Sequence, residues 1–519
     1  MAVKFITAKE AAHMIPDGVT FASNGFMGTT FAEEIASEIE SRFLETGKPN
    51  GLTLVFCAAQ GDNDKRGLQH LAHEGLLRRI IGGHYGMARK VGDLVVKNKV
   101  IAYDFPQGVM AHLLRTTAAH QPGELTRVGL GTFVDPRLSG GKMNEMTQKE
   151  EDLVQLVHIN GEEYLFYKSI PLDYTIIGGT YADENGNISF EKEGSKSEAL
   201  AMAQACKNSG GTVVVQVQRV VKAGSLDPQK VEVPGILVDY VVVASDMKYC
   251  MQNFKTAYNP GCSGEHRMGL AEFTPIPLNN KKIIARRAAM ELEEESVVNL
   301  GVGIPEFISS VAVEEGISHK FTLTVESGPI GGTPQSGLDF GESLNPDCII
   351  SMPSMFDFYD GGGLDQAFVG FAQGDGVGNV NVSKFSTRLP GCGGFIDITQ
   401  NAKKLYFCGT FSASGLETEI KDGKLKIIAE GKAKKFLEQV EQITFSAKTA
   451  IEANQPVMYI TERAVFRLTK DGLLLCEAAP GIDVEKDILA HMPVRPKIAP
   501  DFHLMDERIF KDEKMGLHI

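Results

Sequence analysis

The chain has no surplus of positive charge: 52 Lys and Arg stand against 66 Asp and Glu, a net charge of −14 at pH 7. Sequence-independent nucleic-acid binding needs a basic face, so that class of partner is excluded. An anionic small molecule is not excluded, because a local cationic pocket can sit on an acidic protein. The eight cysteines (Cys57, Cys206, Cys250, Cys262, Cys348, Cys392, Cys408 and Cys476) are scattered, and no CxxC occurs. A chain of 519 residues buries enough core without a disulfide framework, so reduced thiols in a cytoplasmic protein are expected. No zinc-ligand spacing is present, and no metal is expected. A GxxxxGK[ST] phosphate loop is also missing. Gly301-Val302-Gly303 is not a dinucleotide fingerprint, since Glu306 stands where the third glycine belongs. The N-terminus has no hydrophobic signal core, and the longest apolar runs, such as Gly235 to Ala244, are far too short to span a bilayer. No membrane partner is expected.

What is present is a soluble composition, 43% hydrophobic and 23% charged. At roughly 150 residues per domain the length predicts two or three domains. The first half reads as α/β throughout. Thr7 to Ile15 is a short helix stopped by Pro16. Gly18 to Ala22 is a strand, Ser23 to Thr29 a glycine loop, and Phe31 to Phe43 an amphipathic helix. Strand, glycine turn and helix open a βαβ unit. Further strands are expected at Leu52 to Ala58, Thr212 to Val217 and Val238 to Ala244, with a strand and turn in Gly129 to Pro136, while Lys99 to Tyr103 leads into Phe105 to Gly108 and a helix. Tyr174 to Gly179 is apolar without alternation, as a strand buried on both faces of a parallel sheet requires.

Gly269 to Lys282 breaks the pattern with Pro275, Pro277 and a polar run. The expected division is residues 1–270, a linker at 271–282, and 283–519. The two halves look related. Asp17 to Ile35 and Glu295 to Val311 are both strand, glycine loop and helix. Asp183 to Ile188 and Asp375 to Val380 share D-x-x-G-N-[IV]. Two matches in the same order favour duplication.

Phe321 to Gly332, FTLTVESGPIGG, is the stretch around which the chain is organised. Phe321, Leu323 and Val325 alternate with Thr322, Thr324 and Glu326, a strand pattern. The strand stops at Ser327-Gly328-Pro329, which leaves Glu326 at its C-terminal lip, where open α/β sheets bind ligands. A glutamate there is either a nucleophile or a solvated residue opening a turn. Gly301-Val302-Gly303 either permits a tight turn or frees N–H groups for an anion or oxyanion. Three glycine-rich loops, near 361–365, 374–378 and 391–394, follow Glu326, and rigidly held loops are where sites are built. Cys392 lies among glycines, but no histidine is near it in sequence.

VESGPIGG (325–332), NLGVGIP (299–305), GCGG (391–394) and PQG (106–108), with VEVPGILVD (231–239) and EAAPGI (477–482), resemble family I coenzyme A transferases of the type whose two subunit-like halves are fused. The resemblance covers essentially the whole length and lies closest to the acetate/propionate group. It implies two related open α/β domains with mainly parallel sheets and an active site at the domain interface. It also implies that Glu326 is the nucleophile, forming a glutamyl-CoA thioester. Val302, Gly393 and Gly394 would supply oxyanion-hole N–H groups. Gln107, with Gly25, Gly28, Gly301 and Gly303, would line the substrate site. Coenzyme A is then a substrate, no cofactor is needed, and a homo-oligomer, a tetramer by resemblance, is expected. The competing classes are an acyl-CoA hydrolase and a non-catalytic α/β metabolite-binding module.

Overall fold

A computed structural model describes residues 3–269, 275–385 and 387–519. The chain forms two compact units that do not follow its linear order. The first comprises Met1–Met268, Val325–Asp360 and Ser386–Asp397; the second comprises Gly269–Thr324, Gly361–Phe385 and Ile398–Ile519. Of the expected linker at 271–282, residues 271–274 lie outside the described residues. The helix Asn280–Ala289 starts inside that stretch. The Asn279 side chain caps it by accepting the N–H groups of Lys281 and Lys282 at 2.9 and 3.2 Å.

The first unit is built on an all-parallel sheet of eight strands. Their order is Lys4–Ile6, Tyr240–Val243, Thr212–Val217, Tyr174–Gly178, Thr20–Ser23, Leu52–Phe56, Leu77–Gly82 and Ile101–Asp104. Leu52–Phe56, Ile101–Asp104 and Tyr174–Gly178 are buried along their whole length. That explains their unbroken apolar runs. The chain order reverses between Thr20–Ser23 and Tyr174–Gly178. The loops leaving these two strands therefore diverge, and the crevice of an open sheet forms at such a point. The glycine loop after Ser23 and the segment leading to Glu198 both start there.

In the second unit, Thr322–Thr324, Val297–Leu300, Gln366–Val369, Lys404–Cys408 and Val457–Ile460 are parallel neighbours in that order. Ala464–Thr469 and Gly472–Ala478 continue the sheet antiparallel, and Lys497–Leu504 closes it. The five parallel strands repeat the spatial order of five strands of the first unit. Val298 pairs with both Leu323 and Gln366, as Phe21 pairs with both Leu54 and Tyr174. The two D-x-x-G-N turns are also equivalent. Asp183 accepts the N–H groups of Asn185 and Asn187 and the Asn187 amide at 2.9 to 3.0 Å. Asp375 does the same for Gly378 and Asn379 at 2.9 to 3.1 Å. The duplication read from short motifs is therefore present in the topology.

One expected strand is not formed. Gly129 to Pro136 is a run of turns, because Gly129 and Gly131 take φ of 101° and 72° and the Asp135 carboxylate gathers the Gly131 N–H and the Arg137 side chain. The strand in this region is Gly123–Thr126, in a small antiparallel sheet with Glu162–Lys168 and Val154–Ile159.

Candidate active site

Glu326 lies two residues beyond the strand Thr322–Thr324 and is only 9% exposed. The backbone holds it in a tight turn. The Val325 N–H donates to Pro329 O at 3.0 Å and the Gly328 N–H to Val325 O at 2.9 Å. Gly328 has φ of 130°, and a Cβ placed on it would stand 2.0 Å from the Ile350 carbonyl oxygen. Only glycine fits a positive φ with a carbonyl so close. The next residue is fixed from outside: the Ser195 hydroxyl donates to Ser327 O at 2.7 Å, and the Ser327 hydroxyl donates to Gly341 O. A carboxylate on a flexible stem is thus mounted on a rigid base.

Within this first unit, Gln107 and the GCGG loop come together. Gln107 is 2% exposed and begins the helix Gln107–Ala118. Its N–H donates to Gly393 O at 2.9 Å. Its side-chain amide nitrogen rests on the Met352 thioether at 3.0 Å, a weak acceptor. The two candidate oxyanion donors of the loop are not equivalent. The Gly393 N–H is given to Gly83 O at 2.6 Å. The Gly394 N–H has no acceptor among the described residues.

The glycine loop after Ser23 supplies shape rather than donors. The N–H groups of Asn24, Phe26, Met27 and Thr29 go to backbone carbonyls, and that of Gly28 goes to the Asn253 side chain at 2.9 Å. The Gly25 N–H faces the Glu198 carboxyl and steadies its charged form. The N–H groups of Gly25 and Gly28 thus serve the loop's own bonding. In the second unit the same accounting leaves one group over. The Gly301 N–H donates to Phe368 O at 2.8 Å and the Gly303 N–H to the Glu306 carboxylate at 2.8 Å. Val302, 61% exposed, has an N–H with no acceptor among the described residues. Of this loop's three residues, it alone has a donor to offer.

Four residues that sequence reasoning missed belong to the first unit with Glu326 and the GCGG loop: Ser195, Glu198, Glu342 and Asp397. Burial pushes the Glu198 and Glu342 carboxyls up to about 8 and that of Glu193 to about 7, so the Glu198 and Glu342 acids are largely neutral at pH 7. Glu342 accepts the Thr29 hydroxyl at 3.0 Å and Glu193 the Thr180 hydroxyl at 3.0 Å. Burial, with the nearby charge of Glu326, pushes Asp397 up to about 8 as well. Asp397 lies three positions beyond the end of GCGG, and that closeness is the one signal that pointed toward it.

Cys392 is not a nucleophile in this arrangement. Burial, with Asp104 and Asp397, pushes its thiol well above the ordinary range, so no thiolate forms. The fold does bring a histidine to the loop. A Cβ on Gly393 would stand 3.2 Å from His84 Cδ2. Burial, however, pulls the His84 imidazole down to about 4, and its Nδ1 accepts the Gly86 N–H at 3.1 Å. The neutral ring packs and does not activate.

A nearly buried carboxylate on a braced turn, near Asp397 and in one unit with the GCGG loop, suits acyl transfer. The comparisons agree. The model of the Coenzyme A transferase family matches residues 5–244. The chain is 49% identical over 519 residues to the caffeate CoA-transferase of Acetobacterium woodii, covering 99% of this chain and 98% of that one. It is 45% identical over 515 residues to the acetate CoA-transferase YdiF of Escherichia coli O157:H7, covering 99% and 96%. The solved thioester complex with CoA of the YdiF acyl-CoA transferase from the same bacterium matches with a TM-score of 0.93, over 100% of this chain and 98% of that one. Among the described residues no helix is long and apolar enough to cross a membrane. Identity at this level, sustained along the whole chain, shows that the protein belongs to the coenzyme A transferase family and that it is an enzyme moving coenzyme A between an acyl-CoA and a free carboxylic acid.

Proposed function

We propose that Glu326 carries this transfer covalently. The observation that supports it most directly is the placement of Glu326: a nearly buried carboxylate on a braced turn, in one compact unit with Gln107 and the Gly393-Gly394 loop. One carboxylate cannot readily take CoA from another without both being held at once, and an enzymic carboxylate divides the exchange into steps. Glu326 attacks the acyl-CoA carbonyl and the C–S bond breaks, leaving a mixed anhydride and CoA thiolate. The thiolate attacks the glutamyl carbonyl, the first acid leaves as its carboxylate, and Glu326 holds CoA as a thioester. The second acid reverses the sequence, so the kinetics are ping-pong.

Negative charge develops on the carbonyl oxygen at each addition. The unengaged N–H of Gly394 suits that oxygen. The unengaged N–H of Val302 is kept as a donor on the strength of the family resemblance. Losing such a donor raises the barrier by about 3–4 kcal/mol. Coenzyme A acts as substrate and the proposed steps call on no further cofactor. A cytoplasmic homo-oligomer, a tetramer by resemblance, completes the reading.

The proposed acids are short-chain: acetate, propionate, butyrate and lactate, in line with the relative that transfers CoA to acetate. The relative that acts on caffeate supports a second reading, a bulkier acid. Mass spectrometry of the protein incubated with acetyl-CoA and no acceptor tests the first claim: a CoA adduct is expected on the peptide bearing Glu326. Adding each acid to the loaded enzyme then ranks acceptors by the rate at which the adduct is lost. An adduct on another residue, or none, rejects Glu326. Faster discharge by caffeate than by any short-chain acid selects the second reading.

A further inference from the structure

The helix Gln107–Ala118 begins at Pro106, and no neighbouring side chain caps it. The first N–H groups of a helix have no partner within it and, when buried, must find one elsewhere. Gln107 gives its N–H to Gly393 O. Those of Gly108 and Val109 steady the carboxyl of Asp397, a residue 289 positions further along that is fully buried. Asp397 thus faces the start of this helix from a remote segment, in the place an N-terminal acceptor would take. The contact is close. A Cβ on Gly108 would stand 2.4 Å from Asp397 Oδ1 and 2.6 Å from Phe356 Cδ1. The glycine of PQG is the only residue that admits the carboxyl there. A third tie runs from the Cys392 N–H to Asp104 Oδ2 at 2.9 Å. The segment 392–397 is therefore fastened at three points to strand Ile101–Asp104 and the helix that follows it.

We propose that Asp397 is a positioning residue for the transfer. Seated against the start of the helix Gln107–Ala118, it holds the GCGG loop and Gln107 in one frame near Glu326. The inference rests on Glu326 being the nucleophile. A clamp this near to Glu326 must not carry a competing negative charge, and Asp397 meets that condition as long as it keeps its proton. Several titratable groups face it: Glu326 from its turn, Asp360 at the end of helix Met352–Asp360, Tyr167 from strand Glu162–Lys168, and Cys392 from its own loop. His112, on the helix Gln107–Ala118, faces Asp360. Tyr167 and Cys392 are pushed well above their ordinary values and stay neutral. Ionisation of Asp397 would place a second negative charge against Glu326.

The test compares Asp397→Asn with Asp397→Ala in the full chain, reading kcat and KM from pH 6 to 9.5 alongside thermal unfolding. Asparagine keeps the shape and an acceptor oxygen at that place but cannot ionise. Asp397→Asn is expected to keep kcat within about tenfold of wild type at pH 7, and Asp397→Ala to lose about 100-fold, the cost of a shift of about 1 Å in a reacting frame. Wild-type kcat is expected to fall above pH 8, and Asp397→Asn to stay level there with KM little changed. If Asp397→Ala does not fold, the pH profile of Asp397→Asn decides alone. An alkaline fall equal to wild type in Asp397→Asn, or a kcat as low as that of Asp397→Ala, overturns the proposal. Adduct mapping on wild type separates the two readings. A CoA adduct on Glu326 together with an unchanged Asp397→Asn profile rejects Asp397 alone, whereas an adduct elsewhere takes both down.

Discussion

The Ser195 hydroxyl donates to the carbonyl of Ser327 at 2.7 Å, joining residues 132 positions apart. The first lies on the segment leaving the sheet at its topological switch point, and the second follows Glu326. This bond braces the turn that carries Glu326. Ser195→Ala removes it, a loss of about 1 kcal/mol in stability. The larger expected effect is on kcat, reduced about tenfold by a displaced Glu326. Steady-state kinetics and thermal unfolding measured together check this. A lowered midpoint with unchanged kcat would mean that the bond only holds the loop.

Glu326→Ala is expected to abolish transfer. Glu326→Asp is the sharper variant, because it keeps the charge and withdraws the carboxylate by about 1.5 Å, when about 1 Å costs around 100-fold. Slow hydrolysis of acyl-CoA is expected to remain as water enters the vacated space. Product analysis with and without an acceptor acid distinguishes the two activities, and full transfer by Glu326→Ala would remove Glu326 from the mechanism.

Cys392→Ala is expected to retain most of the transfer activity, with stability lowered by about 1 kcal/mol or somewhat more for the buried atoms lost. The native enzyme should resist thiol alkylation at this residue while folded. Abolition of activity in a folded Cys392→Ala protein would refute the assignment of this thiol as a packing group.

Gly328→Ala is expected to fail more severely than an ordinary loop substitution. Its φ of 130° and the Ile350 carbonyl oxygen 2.0 Å from a Cβ leave no room without moving the turn that carries Glu326. Strain at such a backbone position costs on the order of 1–3 kcal/mol. Loss of kcat should accompany the lowered unfolding midpoint, and normal activity would show that the turn has slack.

Glu193, Glu198 and Glu342 make stability depend on pH. Their folded values, about 7, 8 and 8, lie above the ordinary 4.5. The folded chain then keeps protons that the unfolded chain releases. The stability from these groups is full below about pH 4.5 and is lost as pH rises through 7 to 8. The unfolding midpoint of wild type should fall relative to that of Glu342→Gln between pH 5 and 9. A constant difference between the two across that range would mean that Glu342 is not held protonated.

Much of the fold was legible because local rules act on local sequence. Runs rich in β-branched residues marked parallel strands, and Thr212–Val217 forms where such a run lies. The D-x-x-G-N motif carried its turn within five residues, so the duplication could be read from two short matches. Gly129 to Pro136 misled because a short apolar run between glycines reads as a strand, while the Asp135 carboxylate curls it into turns.

The sequence by itself determined an α/β protein with two related sheets, and its ordered motifs singled out Glu326, Gln107 and the GCGG and GVG loops. It could not say which N–H groups those loops keep. That depends on carbonyls and side chains brought from far along the chain: Gly83 takes the Gly393 N–H, Asn253 that of Gly28, and Phe368 that of Gly301. Nor could it say that 325–360 and 386–397 pack with the first 268 residues. Only that packing sets Asp397 at the start of the Gln107 helix, and burial there decides that the acid keeps its proton, because ionisation follows the surroundings of a group and not its neighbours in sequence.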